Sequence, residues 1–121
     1  MSFTISKEFH FSASHRLDGL EAGHPCGRLH GHNYVVQLEL SSADDGLDKN
    51  GFVRDYGDLS SFRNWLDEEV DHRHLNDLVT DQNPSAENLA RWIYERWSPQ
   101  FPELSSVRLS ETPKTSAEYR P

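Results

Sequence analysis

His30-Gly31-His32 sets two imidazoles two residues apart, on the same side of an extended chain, and Gly31 lets the backbone bend between them. Such a pair is half of a zinc site. His15 adds a third nitrogen if the segment it ends pairs with the segment that starts near His30. Three protein ligands leave one coordination position open, as a catalytic zinc requires; a closed structural site would want a fourth, and Cys26, four residues before His30, is available for it. Cys26 lies in Pro25-Cys26-Gly27-Arg28, among loop formers rather than in an apolar run. That context favours a thiol kept for chemistry over a small core hydrophobe, and a nearby zinc and Arg28 would favour the thiolate. His10 differs in parity from His15 and faces the other way on a regular strand, and His24, between Gly23 and Pro25, reads as loop surface.

Two further positions carry acid-base potential. Asp71-His72 is the arrangement in which a carboxylate holds an imidazole in one tautomer and tunes its basicity, although the same residues also suit a solvated helix end. Glu111 falls on the apolar parity of Val107 and Leu109, where a hydrophobe is expected. A carboxylate placed there needs a partner, either an intramolecular Arg or the planar amidine-like edge of a ligand, accepted through both oxygens.

The elements that must position these groups follow from periodicity. Phe3, Ile5, Phe9, Phe11 and Ala13 share one parity, which predicts a first strand with His15 at its end; Tyr34, Val36, Leu38 and Leu40 predict a second. Asp44-Asp45-Gly46 and Asn50-Gly51 bracket a turn region, and Phe52-Val53 reads as a short extended piece. From Leu59 the period lengthens, with Phe62, Leu66 and Val70 at helical spacing and Trp65 beside them. A second helix is expected after Asn83-Pro84, with Asn as the cap and Pro at the first helical position, a stripe of Leu89, Trp92, Ile93 and Trp97, and Pro99 as the stop. Val107 to Glu111 and then Thr115 to Tyr119 complete a hairpin. The order ββααββ over a single domain, residues 1–121, favours the α+β class: a four-stranded antiparallel sheet with two helices on one face.

Twelve Lys and Arg against twenty Asp and Glu leave a formal charge of −8, without a basic stripe, which argues against nucleic acid as a partner. No stretch approaches the ~18 apolar residues of a membrane span, and Met1-Ser2-Phe3-Thr4 lacks the features of a secretory signal, so no membrane association and a cytoplasmic location are expected. The single cysteine excludes an internal disulfide. An apolar share of 35% is low for a lone small domain, and a four-stranded sheet has two open edges, so association into a homo-oligomer by edge pairing is the expected way to gain burial.

Phe11-Ser12-Ala13-Ser14-His15, Cys26-Gly27-Arg28-Leu29-His30-Gly31-His32-Asn33, Asp71-His72-x-x-Leu75-Asn76, Asn83-Pro84-Ser85-Ala86-Glu87 and Ser110-Glu111-Thr112 together resemble the 6-pyruvoyltetrahydropterin synthase family, over essentially the whole chain. The C-x-x-x-H-G-H spacing resembles that of the 6-carboxytetrahydropterin synthases of queuosine biosynthesis, whereas the animal 6-pyruvoyl enzymes place two more residues between the cysteine and the first histidine. Ser14, where the family often has Ala, and His74, where an aromatic residue is common, are departures outside the assigned roles.

The resemblance implies the tunnelling fold (T-fold), in which such units close as trimers into a barrel and two trimers stack, so the homo-oligomer would be a trimer or hexamer. It implies Zn2+ on His15, His30 and His32, Cys26 as catalytic thiol assisted by Asp71 and His72, and Glu111 as the anchor of a pterin. The implied substrate is 7,8-dihydroneopterin triphosphate and the implied products are 6-carboxy-5,6,7,8-tetrahydropterin, acetaldehyde and triphosphate. The alternatives are a 6-pyruvoyltetrahydropterin synthase, which eliminates triphosphate without cleaving carbon, and a non-catalytic zinc-stabilised pterin-binding module. Under the catalytic reading, Cys26→Ala is expected to abolish turnover while metal content stays at the parent level; near-normal turnover would end the thiol assignment.

Overall fold

The computed structural model describes residues 2–43 and 46–121; Asp44 and Asp45, read as part of a turn, lie outside the described residues. Strand β1 (Thr4–His15) and strand β2 (His30–Ser41) form a long antiparallel pair, in register from Thr4 opposite Ser41 to His15 opposite His30. The pleat turns Phe9, Phe11 and Ala13 to the same side as Tyr34, Val36, Leu38 and Leu40, and all seven are buried. Phe52-Val53 forms no strand; Val53 instead packs partly buried against the core.

Helix α1 (Ser60–Trp65) follows a tight turn over Tyr56–Leu59, in which the Asp55 carboxylate accepts the Gly57 N–H at 2.8 Å. It runs on into a wider π-type turn, Leu66–Val70, closed by the Asp71 N–H on the Leu66 carbonyl at 2.7 Å. The predicted stripe of Leu59, Phe62, Trp65, Leu66 and Val70 is buried throughout. Helix α2 (Ala86–Trp97) begins later than the sequence suggests: Ser85 is the cap, its hydroxyl accepting the Asn88 N–H at 3.2 Å, and Pro84 precedes the helix rather than opening it. Ser85 is itself extended, with φ of −69° and ψ of 165°, as a cap residue is, which lets its hydroxyl fold back onto the first turn.

Strands β4 (Leu104–Thr112) and β5 (Thr115–Tyr119) complete the expected hairpin, joined at Pro113-Lys114, with an irregularity in the ladder between Leu109 and Thr112. The sheet differs from the expected four antiparallel strands. A two-residue strand β3 (Arg73–His74) pairs in parallel with β1, Ala13 opposite Arg73 and Ser14 opposite His74, giving five strands in the order β3-β1-β2-β4-β5. Two residues show no alternation that a sequence pattern could register. Ser14 and His74, the two departures from the family pattern, are partners here, Ser14 Oγ lying 3.0 Å from His74 Nδ1.

Both helices cover the apolar face of this mixed sheet, as expected of the α+β class, in one continuous core. Phe62 stands at its centre, 5.0 Å from Phe9, 5.4 Å from Trp97 and 5.8 Å from Trp65, ring centre to ring centre. Among the described residues, β1 has β3 beside it only over Ala13–Ser14, and β5 has β4 on one side alone, so both sheet margins expose backbone. Truncating Phe62 removes contacts from both layers at once. Phe62→Ala should cost about 3–5 kcal/mol, a large part of the roughly 5–15 kcal/mol typical of a whole domain. The urea midpoint in chelator checks this; an unchanged midpoint would show that the aromatic cluster does not hold the helices to the sheet.

Candidate active site

The apolar stripe of β1 and β2 ends in imidazoles. His15 and His30 are direct cross-strand partners, and His32, two residues along β2 and opposite Ala13, is diagonal to His15, so all three side chains emerge on the core face at the same end of the sheet. Their ring centroids lie 4.5, 5.0 and 5.1 Å apart, and their ligating atoms all fall within 4.8 Å of one another. Gly31 eases this approach: a Cβ there would lie 3.1 Å from the Ala13 carbonyl oxygen, so the backbone would have to give by a few tenths of an ångström.

The tautomers follow from the acceptors around the rings. His15 Nδ1 donates to the Pro84 carbonyl at 2.8 Å, and His30 Nδ1 donates to the Arg28 carbonyl at 2.7 Å. A carbonyl only accepts, so each proton sits on Nδ1 and each Nε2 carries a lone pair. These two Nε2 atoms face each other at 2.9 Å. His32 Nε2, buried, has no hydrogen-bond partner among the described residues; Glu111 Oε2 is 3.5 Å away, within ion-pair reach only. Inward lone pairs, an unsatisfied buried nitrogen and carbonyls behind the rings are the donor set of a metal site with its outer support already in place. The three histidines can hold a metal ion. Cys26 Sγ is not part of this set.

Burial is also the main cause that holds the His15 imidazole below its ordinary basicity; the neighbouring His30 and His32 add to it, against the opposing pull of the Pro84 carbonyl and Glu111. Tyr34, stacked on Phe11 under the cluster, has its hydroxyl pushed well above the usual phenol range by burial and by Glu111.

Beside His32 runs an open groove of about 400 Å³, bordered by Ser12, Ser14, Asn33, His72 and Arg73. The π-type turn delivers Asp71 to its margin. Asp71 Oδ1 accepts the Ser12 N–H at 2.8 Å and Oδ2 accepts His72 Nδ1–H at 2.7 Å, and those two bonds, the first above all, keep its carboxyl below the usual range. His72 adopts φ of 60°, a left-handed conformation uncommon for a side-chain-bearing residue, while its N–H reaches the Ser12 carbonyl at 2.6 Å. Its ring is largely exposed, so the far nitrogen faces solvent and groove.

The structure therefore gathers His15, His30, His32 and Glu111 at one point, and Asp71 with His72 in the groove next to it. Cys26 stands apart from both, half-buried in a single turn, Pro25–Gly27, where His24 Nδ1 accepts its N–H at 3.1 Å and its carbonyl accepts the Leu17 N–H at 3.0 Å. His10 is exposed, as its parity requires, and Glu111 has no Arg partner among the described residues. Sequence reasoning missed the carbonyls of Pro84 and Arg28. A backbone acceptor leaves no residue-type signal; Asn83-Pro84 resembled only a helix start.

The family model described as 6-pyruvoyl tetrahydropterin synthase matches residues 4–121. A 6-carboxy-5,6,7,8-tetrahydropterin synthase of Haemophilus influenzae is 32% identical over 98% of this chain and 99% of its own length. A dihydroneopterin monophosphate aldolase of Pyrococcus furiosus is 35% identical over 68% of each. Among solved structures, the 6-pyruvoyl tetrahydropterin synthase of Caenorhabditis elegans superposes with a TM-score of 0.86 at 27% identity, covering 100% of this chain and 96% of the other.

Because folding lowers the affinity of His15 for a proton, the unfolded chain takes up a proton that the folded metal-free chain refuses. The associated stability is complete above the ordinary value of 6.5 and is lost as pH falls through it towards the lowered folded value. In chelator, the melting temperature should fall between about pH 7.5 and 5.5, and His15→Gln should flatten that slope. An equal slope in both proteins would remove His15 as its source.

Proposed function

The chain belongs to the 6-pyruvoyl tetrahydropterin synthase family, and from that premise we propose that it is a zinc-dependent carbon-carbon lyase acting on 7,8-dihydroneopterin triphosphate. The products would be 6-carboxy-5,6,7,8-tetrahydropterin, acetaldehyde and triphosphate, a step of queuosine biosynthesis. The observation that carries this reading is the convergence of three imidazole nitrogens on one point, two of them fixed by backbone carbonyls, with a carboxylate and an oriented histidine alongside. The likeness to the Haemophilus synthase over nearly the full length of both chains supports the branch within the family.

His15, His30 and His32 would hold zinc, which would supply Lewis acidity beside the substrate's side-chain oxygens and so ease removal of the adjacent protons. The chain's own residues do the rest. Cys26, which the turn Pro25–Gly27 leaves outside the histidine cluster, is the thiol to which this reading assigns proton removal. His72 presents its outer nitrogen to the groove with Nδ1–H anchored on Asp71, so it can give and take protons there in a fixed orientation. Glu111, a quarter exposed beside His32, accepts hydrogen bonds from the amino-pyrimidine edge. The exposed sheet margins support assembly into a trimer or hexamer, by edge-to-edge pairing of copies.

The C. elegans likeness favours a second reading, a 6-pyruvoyl synthase using the same groups for triphosphate elimination alone; the cysteine spacing weighs against it. Product identity separates them. Zinc-loaded protein incubated with 7,8-dihydroneopterin triphosphate should give the 6-carboxy product by mass together with acetaldehyde. A 6-pyruvoyl product without acetaldehyde would replace the proposal with the second reading. No turnover, with metal bound and the oligomer intact, would leave a pterin-binding module.

A further inference from the structure

In a strand, alternate residues turn both N–H and C=O to the same edge. Ser12, Ser14, Arg16 and Asp18 turn theirs towards residues 71–83, and every one of them is bonded there. Ser12 is held by Asp71 and His72 through its backbone, and Ser14 by its pairing with His74. Beyond His15 the chain leaves the sheet, yet the pattern continues with side chains in place of a neighbouring strand. Asn76 brackets Arg16, Oδ1 accepting its N–H at 2.9 Å and Nδ2 donating to its carbonyl at 2.7 Å. Asn83 brackets Asp18 in the same way, at 2.9 Å on both sides. A primary amide is the side chain that offers a donor and an acceptor side by side, as a strand neighbour would.

Asn83 has three connections. Its side chain grips Asp18, three residues after His15; its own carbonyl accepts Asn88 Nδ2–H from α2 at 2.9 Å; and the next carbonyl, that of Pro84, takes the Nδ1–H of His15. We propose that Asn83, backed by Asn76, is a positioning residue for the metal centre: it locks the Pro84 carbonyl onto His15 and so fixes the tautomer and aim of His15 Nε2. The inference rests on the metal reading of His15, His30 and His32. Without the bracket, the 83–84 backbone is free to leave the β1 extension, His15 Nδ1 loses its fixed acceptor, and the ring can rotate or move its proton to the ligating nitrogen. Partners of this kind, one step removed from the metal, typically change affinity 10- to 100-fold.

The test is a cobalt(II) titration of the metal-free full chain, read by visible absorption well below the melting temperature, for the parent, Asn83→Asp and Asn83→Ala. Asn83→Asp keeps the acceptor and loses the donor, setting a carboxylate against the Asp18 carbonyl. Both variants should bind cobalt at least about tenfold more weakly and show an altered visible band while circular dichroism stays that of the parent. A bracket that serves only stability would lower the melting temperature and leave affinity and band unchanged, and that outcome overturns the proposal. If Asn83→Ala does not fold, Asn83→Asp carries the test alone, and because its added negative charge would by itself favour a cation, weaker binding reports the lost bracket. A parent protein that binds no cobalt would instead overturn the metal reading itself, which keeps the two failures distinct.

Discussion

The Nε2 lone pairs of His15 and His30 face each other at 2.9 Å with the buried His32 Nε2 beside them, an arrangement that is costly unless a cation compensates it. Everything else around this end of the sheet serves to hold that costly geometry. The β1–β2 register places the rings; two carbonyls decide which nitrogen of His15 and His30 faces inward; Gly31 permits the approach; Glu111 brings negative charge to the exposed side. The aromatic floor of Tyr34 and Phe11 keeps the cluster rigid from below.

The same sheet face thus serves two purposes along its length. From Phe9 to Ala13 and from Tyr34 to Leu40 it is core, covered by the helices; beyond Ala13 and before Tyr34, the stripe that packed phenyl and aliphatic groups presents imidazoles. His15 remains as buried as its apolar neighbours, and its Nδ1–H is satisfied by the Pro84 carbonyl. Chemistry is placed at the rim of a hydrophobic layer rather than in a cleft between domains.

What the sequence made legible was whatever parity and spacing control. His15, His30 and His32 share a side because a strand alternates strictly, and Glu111 stood out because a carboxylate replaced a hydrophobe on a buried parity. The two helices and the final hairpin were legible for the same reason. Contacts that depend on backbone direction were not. β3 is two residues long and parallel to a strand that lies far off in the chain; Asn83 looked like a helix cap because Asn-Pro is a common helix opening, whereas the structure gives the cap to Ser85 and uses the amide to hold Asp18. Cys26 was conspicuous by type and spacing, and yet the turn that carries it leaves the thiol outside the histidine cluster.

The left-handed His72 and the parallel strand that follows it have a consequence for the order of assembly. Ligand-forming contacts close short loops, His15 meeting His30 across a separation of 15 residues, whereas Ser12 meets Asp71 across 59. Closing the longer loop loses more chain entropy before any contact rewards it, and non-local pairing of this kind forms slowly. The three imidazoles can therefore meet within a single hairpin, but the Pro84 carbonyl that orients His15 lies 69 residues along the chain, so the final aim of that ring, like the Asp71–His72 pair, waits for the rest of the chain to fold back. A nascent chain would thus bring its three rings together before their orientation is fixed, and the β1–β2 hairpin would be the platform on which both later contacts dock.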